Sequence, residues 1–103
     1  LGDVYKRQQE FNSLLDVFQN ALKAEETVSE SINKLYELSL NEKAFSTAAQ
    51  LQWFLTEQVE EEATCRKIVA VLERIKDDLP SLLEYDRYLG SRKGDEEEEE
   101  EDE

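Results

Sequence analysis

Residues 45–75 read FSTAAQLQWFLTEQVEEEATCRKIVAVLERI, with no glycine or proline anywhere in the stretch. Leu51, Phe54, Cys65, Ile68, Leu72 and Ile75 recur at steps that keep one face of a helix apolar, which predicts a helix over about 45–76. Just upstream, residues 41–44 are polar and short enough for a helix–helix turn. Before that turn, Phe11, Leu14, Phe18, Ala21, Val28, Ile32 and Leu35 follow the same spacing and predict a helix over about 13–40. Asn12 and Ser13 offer it an N-cap, so residues 1–12, which carry no clear period, are expected to be irregular or foreign. Downstream, Asp77, Asp78 and Pro80 break the second helix. Pro80 suits the first turn of a third helix over about 80–89, and Gly90 offers it a stop. The expected fold class is all-α: an antiparallel two-helix hairpin plus a short third helix, occupying residues 13–90. Residues 91–103 are expected to be a disordered acidic tail.

Composition closes off several function classes. The 103 residues include 12 Lys and Arg, 26 Asp and Glu and no His, for a net charge of −14. Residues 95–103 are nine consecutive acids, and the remainder holds 17 acids against 12 bases, a net of −5. With no basic stripe, nucleic acid is not an expected partner. No apolar run approaches the ~20 residues that cross a bilayer, so no membrane is expected either. Without histidine there is no imidazole base and no imidazole ligand from this chain. Cys65 stands alone and can form no internal disulfide, which fits a reducing, cytoplasmic setting. In the third helix Leu79, Leu82, Leu83, Tyr85, Tyr88 and Leu89 are too apolar for a lone surface helix, and they are expected to fold back on the hairpin.

Polar residues interrupt both apolar seams. Glu25 stands in the seven-residue series Phe11, Phe18, Glu25, Ile32. Gln58 stands in the series Leu51, Gln58, Cys65, Leu72, and Glu61 in the series Phe54, Glu61, Ile68, Ile75. Counted from the 41–44 turn, Glu25 lies about 17 residues back and Gln58 and Glu61 about 15 forward, so an antiparallel hairpin sets all three at nearly one height. A buried carboxylate is costly unless it is paired, and no Lys or Arg lies on either seam near that layer. Carboxylates gathered inside a helix bundle form a hard-oxygen site for iron, manganese or a similar ion. The competing reading is a hydrated polar layer that fixes helix register. Cys65 reads as a small buried hydrophobe, and Phe11, Phe18 and Phe54 as core.

The string Leu51-Gln-Trp-Phe-Leu-Thr-Glu-Gln-Val-Glu-Glu-Glu62, together with Lys23-Ala24-Glu25-Glu26 at ungapped spacing, resembles the bacterial-type non-haem ferritins. The likeness covers about 80 residues and corresponds to the C-terminal half of the subunit, its helices C, D and E. It implies half of a ferritin-like four-helix bundle, a dinuclear iron centre that oxidises Fe(II) with O2, and a 24-subunit shell that stores iron. By the resemblance Glu25, Gln58 and Glu61 are the catalytic residues, Glu25 and Glu61 as iron ligands and Gln58 as ligand or hydrogen-bond partner. Glu57 and Glu60, with Glu61, would serve a third iron site, and Trp53 would pack beside the centre. The third helix would line the four-fold axis, and the acid run would concentrate iron in the cavity. The sequence departs from the family pattern in lacking a helix A glutamate and a helix B Glu-x-x-His pair. This chain is therefore expected to carry only part of the centre and to be inactive by itself, the rest coming from the missing hairpin or from a second copy standing in for it; self-association is expected, as a 24-subunit shell in the family or as a dimer of this chain. The alternative from another class is a non-enzymatic helical interaction module built on the polar register layer.

Overall fold

The computed structural model describes the backbone of residues 2–102 and the side chains of residues 2–92. Three helices and no strand are present among the described residues: α1 (Gly2–Asn41), α2 (Phe45–Ile75) and α3 (Leu79–Asp102). The α1–α2 pair is an antiparallel hairpin, and α3 packs at the end away from its turn. At that end Ile68 and Leu72 of α2 meet Leu82 of α3, and Phe11, Leu14, Leu15 and Phe18 of α1 close around them. Leu72 and Leu82 are the most enclosed side chains, at 2% and 1% exposure, so the tightest core lies where all three helices meet. Burial there holds α3 against the hairpin, because each enclosed leucine contributes about 2 kcal/mol of transfer free energy. The fold-back expected from the leucines of the third helix is present.

The hairpin turn is a helix C-cap of the Schellman type. Lys43 sits at φ 58, in the left-handed region. The Ala44 amide reaches back to the Ser39 carbonyl at 2.8 Å, and the Lys43 amide to the Leu40 carbonyl at 3.1 Å. These two bonds satisfy carbonyls that the end of α1 would otherwise leave open. Beside the turn, buried Ser39 and Ala48 are small enough to let the two helices approach closely. At the other break Asp78 caps α3: its carboxylate accepts from the Ser81 hydroxyl at 2.8 Å and from the Ser81 amide at 3.4 Å. Pro80 falls in the first turn, where its missing N–H costs nothing.

Three expectations are corrected. Residues 2–12 are the first turns of α1 rather than irregular, and Asn12 and Ser13 lie inside that helix. Phe11, Leu14 and Phe18 find Ile68 and Leu72, and that packing outweighs the weak preference of Asn and Ser for a helix start. Gly90 does not stop α3, and the backbone of residues 91–102 continues as helix instead of a disordered tail. Gly90 keeps a right-handed φ, and a glycine inside a helix costs only about 1 kcal/mol relative to alanine. The side chains of the acid run, and Glu103 altogether, lie outside the described residues. Finally, three residues assigned to the apolar seams are substantially exposed: Val28 at 45%, Leu35 at 53% and Phe54 at 49%. A two-helix hairpin covers only the strip facing its partner helix, and these residues sit on the flank of that strip.

Candidate iron half-site

At the mid-height of the hairpin, Glu25 of α1 and Gln58 of α2 are both half-buried and face each other. The Gln58 amide donates to the Glu25 carboxylate at 3.0 Å, to the Glu25 backbone carbonyl at 3.1 Å and to the Ser29 hydroxyl at 3.3 Å. A neutral amide therefore supplies the partner that the acid needs, and no Lys or Arg is required. Ser29 follows Glu25 by four residues and so shares its helix face. That spacing was open to inspection in the sequence, but hydroxyls on a helix attract little notice beside acids.

Glu61 departs from the expected layer. It is exposed, on the flank of α2 rather than in the inter-helix strip. Three residues beyond Gln58 is ~60° short of a full turn, which carries the side chain off the seam at the ~100° per residue of an α-helix. Glu61 remains beside the layer through Cys65. Burial, then Glu25, then Glu61 push the half-buried Cys65 thiol above its ordinary pKa, so both carboxylates bear on the same sulfur. Cys65 is thus the neighbour that links the two acids, a role that its apolar-series position concealed.

The remaining acids are dispersed. Glu57 is half-buried and Glu60 exposed, on the outer side of α2. Glu62 turns to the opposite flank and pairs with Arg66 at 3.6 Å. There an open groove of about 530 Å³ runs between the helices, lined by Ser29, Gln58, Val59 and Glu62 among others. Trp53 lies edge-on to Phe54, with ring centroids 5.0 Å apart at 77°, and both rings are about half exposed. Among the described residues no three His, Cys, Asp or Glu side chains gather closely enough to hold a metal ion. What the hairpin offers is the hydrogen-bonded Glu25 carboxylate and Gln58 amide between its helices, with the exposed Glu61 carboxylate beside them. Such donors fit a hard divalent cation, and a closed coordination shell needs further ligands from the side that the hairpin leaves uncovered.

A family described as Ferritin-like domain matches residues 1–75. A bacterial non-heme ferritin of Staphylococcus epidermidis is 41% identical over 83 residues, covering 81% of this chain and 50% of the relative. One from Staphylococcus haemolyticus is 40% identical over 88 residues, covering 85% of this chain and 53% of the relative. Among solved structures, an open pore ferritin from the hyperthermophilic archaeon Archaeoglobus fulgidus superposes with a TM-score of 0.71 at 40% identity. That match covers 73% of this chain and 46% of the archaeal one. The chain spans about half the length of the curated relatives it matches.

Proposed function

Because this chain belongs to the ferritin-like family, we propose that it supplies half of an iron-storage subunit, in whose intact form O2 oxidises Fe(II) at a dinuclear carboxylate site. The observation that carries this reading is the Gln58–Glu25 hydrogen bond across α1 and α2, with Glu61 near enough that both acids act on Cys65. Fe(II) is the substrate and O2 takes its electrons. The protein holds the cations and does no acid–base work of its own. Gln58 fixes one Glu25 oxygen through its N–H and leaves the other carboxylate oxygen free for iron. Glu61 is the second anionic ligand, and Glu57 and Glu60 join it at a third iron site. The setting is cytoplasmic, and self-association, as far as a 24-subunit shell in complete subunits, surrounds the stored iron.

Anaerobic Fe(II) titration with the chain at high concentration tests this. Uptake is expected, with affinity falling at least tenfold in Glu25→Ala and in Glu61→Ala while the far-UV helical signal holds. No uptake of Fe(II) or Mn(II) by an intact helical chain overturns it. One observation favours a second reading, a register layer without metal: Gln58 already satisfies Glu25. Replacing Glu25 and Glu61 together by Leu separates the two. Under the register reading stability rises and iron has no effect on either protein, since apolar replacement of buried polar groups is often stabilising. Under the iron reading an iron-dependent rise in melting temperature is present in the parent chain and vanishes in the variant.

A further inference from the structure

The Gln58 side-chain amide faces three acceptors, all on α1, and a primary amide has only two protons to give. The Glu25 carboxylate lies at 3.0 Å, the Glu25 backbone carbonyl at 3.1 Å and the Ser29 hydroxyl at 3.3 Å. The Ser29 contact is the longest and falls just past the usual N–H···O range, so the two Glu25 oxygens dominate while the carboxylate is in place. An amide is planar, with its N–H groups and its oxygen on opposite edges. Gln58 therefore turns its nitrogen edge to α1 and its oxygen, Oε1, away from it. No described donor bonds to Oε1, and no buried side-chain oxygen or nitrogen among the described residues lacks a partner, so Oε1 is open to solvent. A flipped amide would set Oε1 against the Glu25 carboxylate and carbonyl, lone pairs against lone pairs, and would offer N–H to the open side.

We infer that Ser29 is a positioning residue: it keeps the nitrogen edge of Gln58 on α1 when a cation draws on the Glu25 carboxylate, so that Oε1 stays turned out as an oxygen donor. The inference rests on the iron reading for the identity of the cation, but not for the hold of Ser29 on Gln58. A cation on the free Glu25 oxygen withdraws charge from the carboxylate, and a bidentate grip takes both oxygens. Either way the shortest of the three bonds weakens just when the orientation of Gln58 matters most. The Glu25 carbonyl remains, but within α1 it also accepts the helix bond from the amide four residues on, so it is a shared anchor. The Ser29 hydroxyl is not shared in that way. Thr27, Ser39 and Thr56 give their hydroxyl protons to carbonyls of their own helix. Ser29 instead receives a proton from across the hairpin, one turn beyond Glu25 on the same face of α1. It takes over the Gln58 proton by a shift of a few tenths of an ångström, with no change of rotamer.

Two measurements on the full chain test this, and the first needs no metal. Glu25→Ala removes the carboxylate but keeps the carbonyl and Ser29, imitating the state in which the acid is engaged elsewhere. Nitrogen relaxation of the Gln58 side-chain amide is expected to give an order parameter above about 0.6 in that variant, and below it once Ser29→Ala is added. Equal order in the two variants overturns the inference. The second measurement is a Mn(II) titration followed by electron paramagnetic resonance, with Mn(II) replacing the oxidisable Fe(II). Ser29→Ala is expected to weaken Mn(II) binding about fivefold, the net worth of one neutral hydrogen bond. The metal-free urea midpoint is expected to hold, since Gln58 keeps both Glu25 oxygens. In a Gln58→Ala chain the same substitution is expected to leave Mn(II) binding unchanged. A loss of affinity that persists without Gln58, or no loss in a chain that binds Mn(II), overturns the inference. A parent chain that binds no Mn(II) sinks the iron reading alone, and the relaxation measurement still decides the role of Ser29.

Discussion

Glu25 and Gln58 show how a polar pair is tolerated in an apolar seam: the amide gives its protons to the acid, and the acid keeps a face in water. Gln58→Ala removes that donor and leaves Glu25 half-buried without it. The expected cost is about 1 kcal/mol, read as a lower urea midpoint, because a charge-assisted bond that is partly open to solvent retains only part of its strength. Glu61→Ala leaves the midpoint unchanged, since that side chain is exposed. Cys65 supplies a pH readout. Burial, then Glu25, then Glu61 raise its pKa in the folded chain, so the native thiol holds its proton longer than the unfolded one. This contribution to stability is complete below the unfolded pKa and is lost as pH climbs through the folded one, so stability falls in the alkaline range. Alkylation of Cys65 near pH 8 is expected to be slower than for a free thiol, and faster in Glu25→Gln. At this scale the sequence was legible where distance from the turn decided the outcome, which is why Glu25 and Gln58 met. It misled at Glu61, because a series spaced by seven does not distinguish the strip facing one neighbour from the flank awaiting another.

Each helix boundary has a physical origin, and the origins differ in how openly the sequence displays them. The limits of α2 were legible, since no glycine or proline interrupts it and Asp78 with Pro80 ends the run. The start of α1 was not, because residues 2–10 precede the apolar series, and the helix is held there by the packing of Phe11, Leu14 and Phe18 against α2 and α3. The two turns carry opposite predictions. Lys43 occupies a left-handed position that glycine adopts freely, so Lys43→Gly is expected to stabilise the hairpin by about 1 kcal/mol, seen as a higher melting temperature. Asp78→Ala removes the α3 cap and is expected to cost a similar ~1 kcal/mol, with faster amide exchange in the first turn of α3. Beyond Gly90 the helix runs into nine consecutive acids, whose mutual repulsion and position at the negative end of the helix dipole both oppose it. Raising the salt concentration should therefore increase the helical signal of the full chain and leave unchanged that of a chain lacking residues 95–103.

For the whole molecule, charge and packing occupy different parts of the chain. A net charge of −14 divides into −9 over residues 95–103 and −5 over the remainder. The tightest packing lies where Ile68, Leu72 and Leu82 meet. Residue 95 stands 13 positions beyond Leu82 on the same helix, about 20 Å at ~1.5 Å per residue. That is more than twice the ~8 Å Debye length at physiological salt, so the acid run barely acts on the core there. Deleting residues 95–103 is therefore expected to shift the urea midpoint little at physiological salt. At ~0.01 M salt the Debye length reaches about 30 Å, repulsion within the chain is no longer screened, and the same deletion is expected to raise the midpoint. Urea melts of both chains across a salt series read the difference, and a gain that does not depend on salt would show that the acid run opposes folding by something other than its charge.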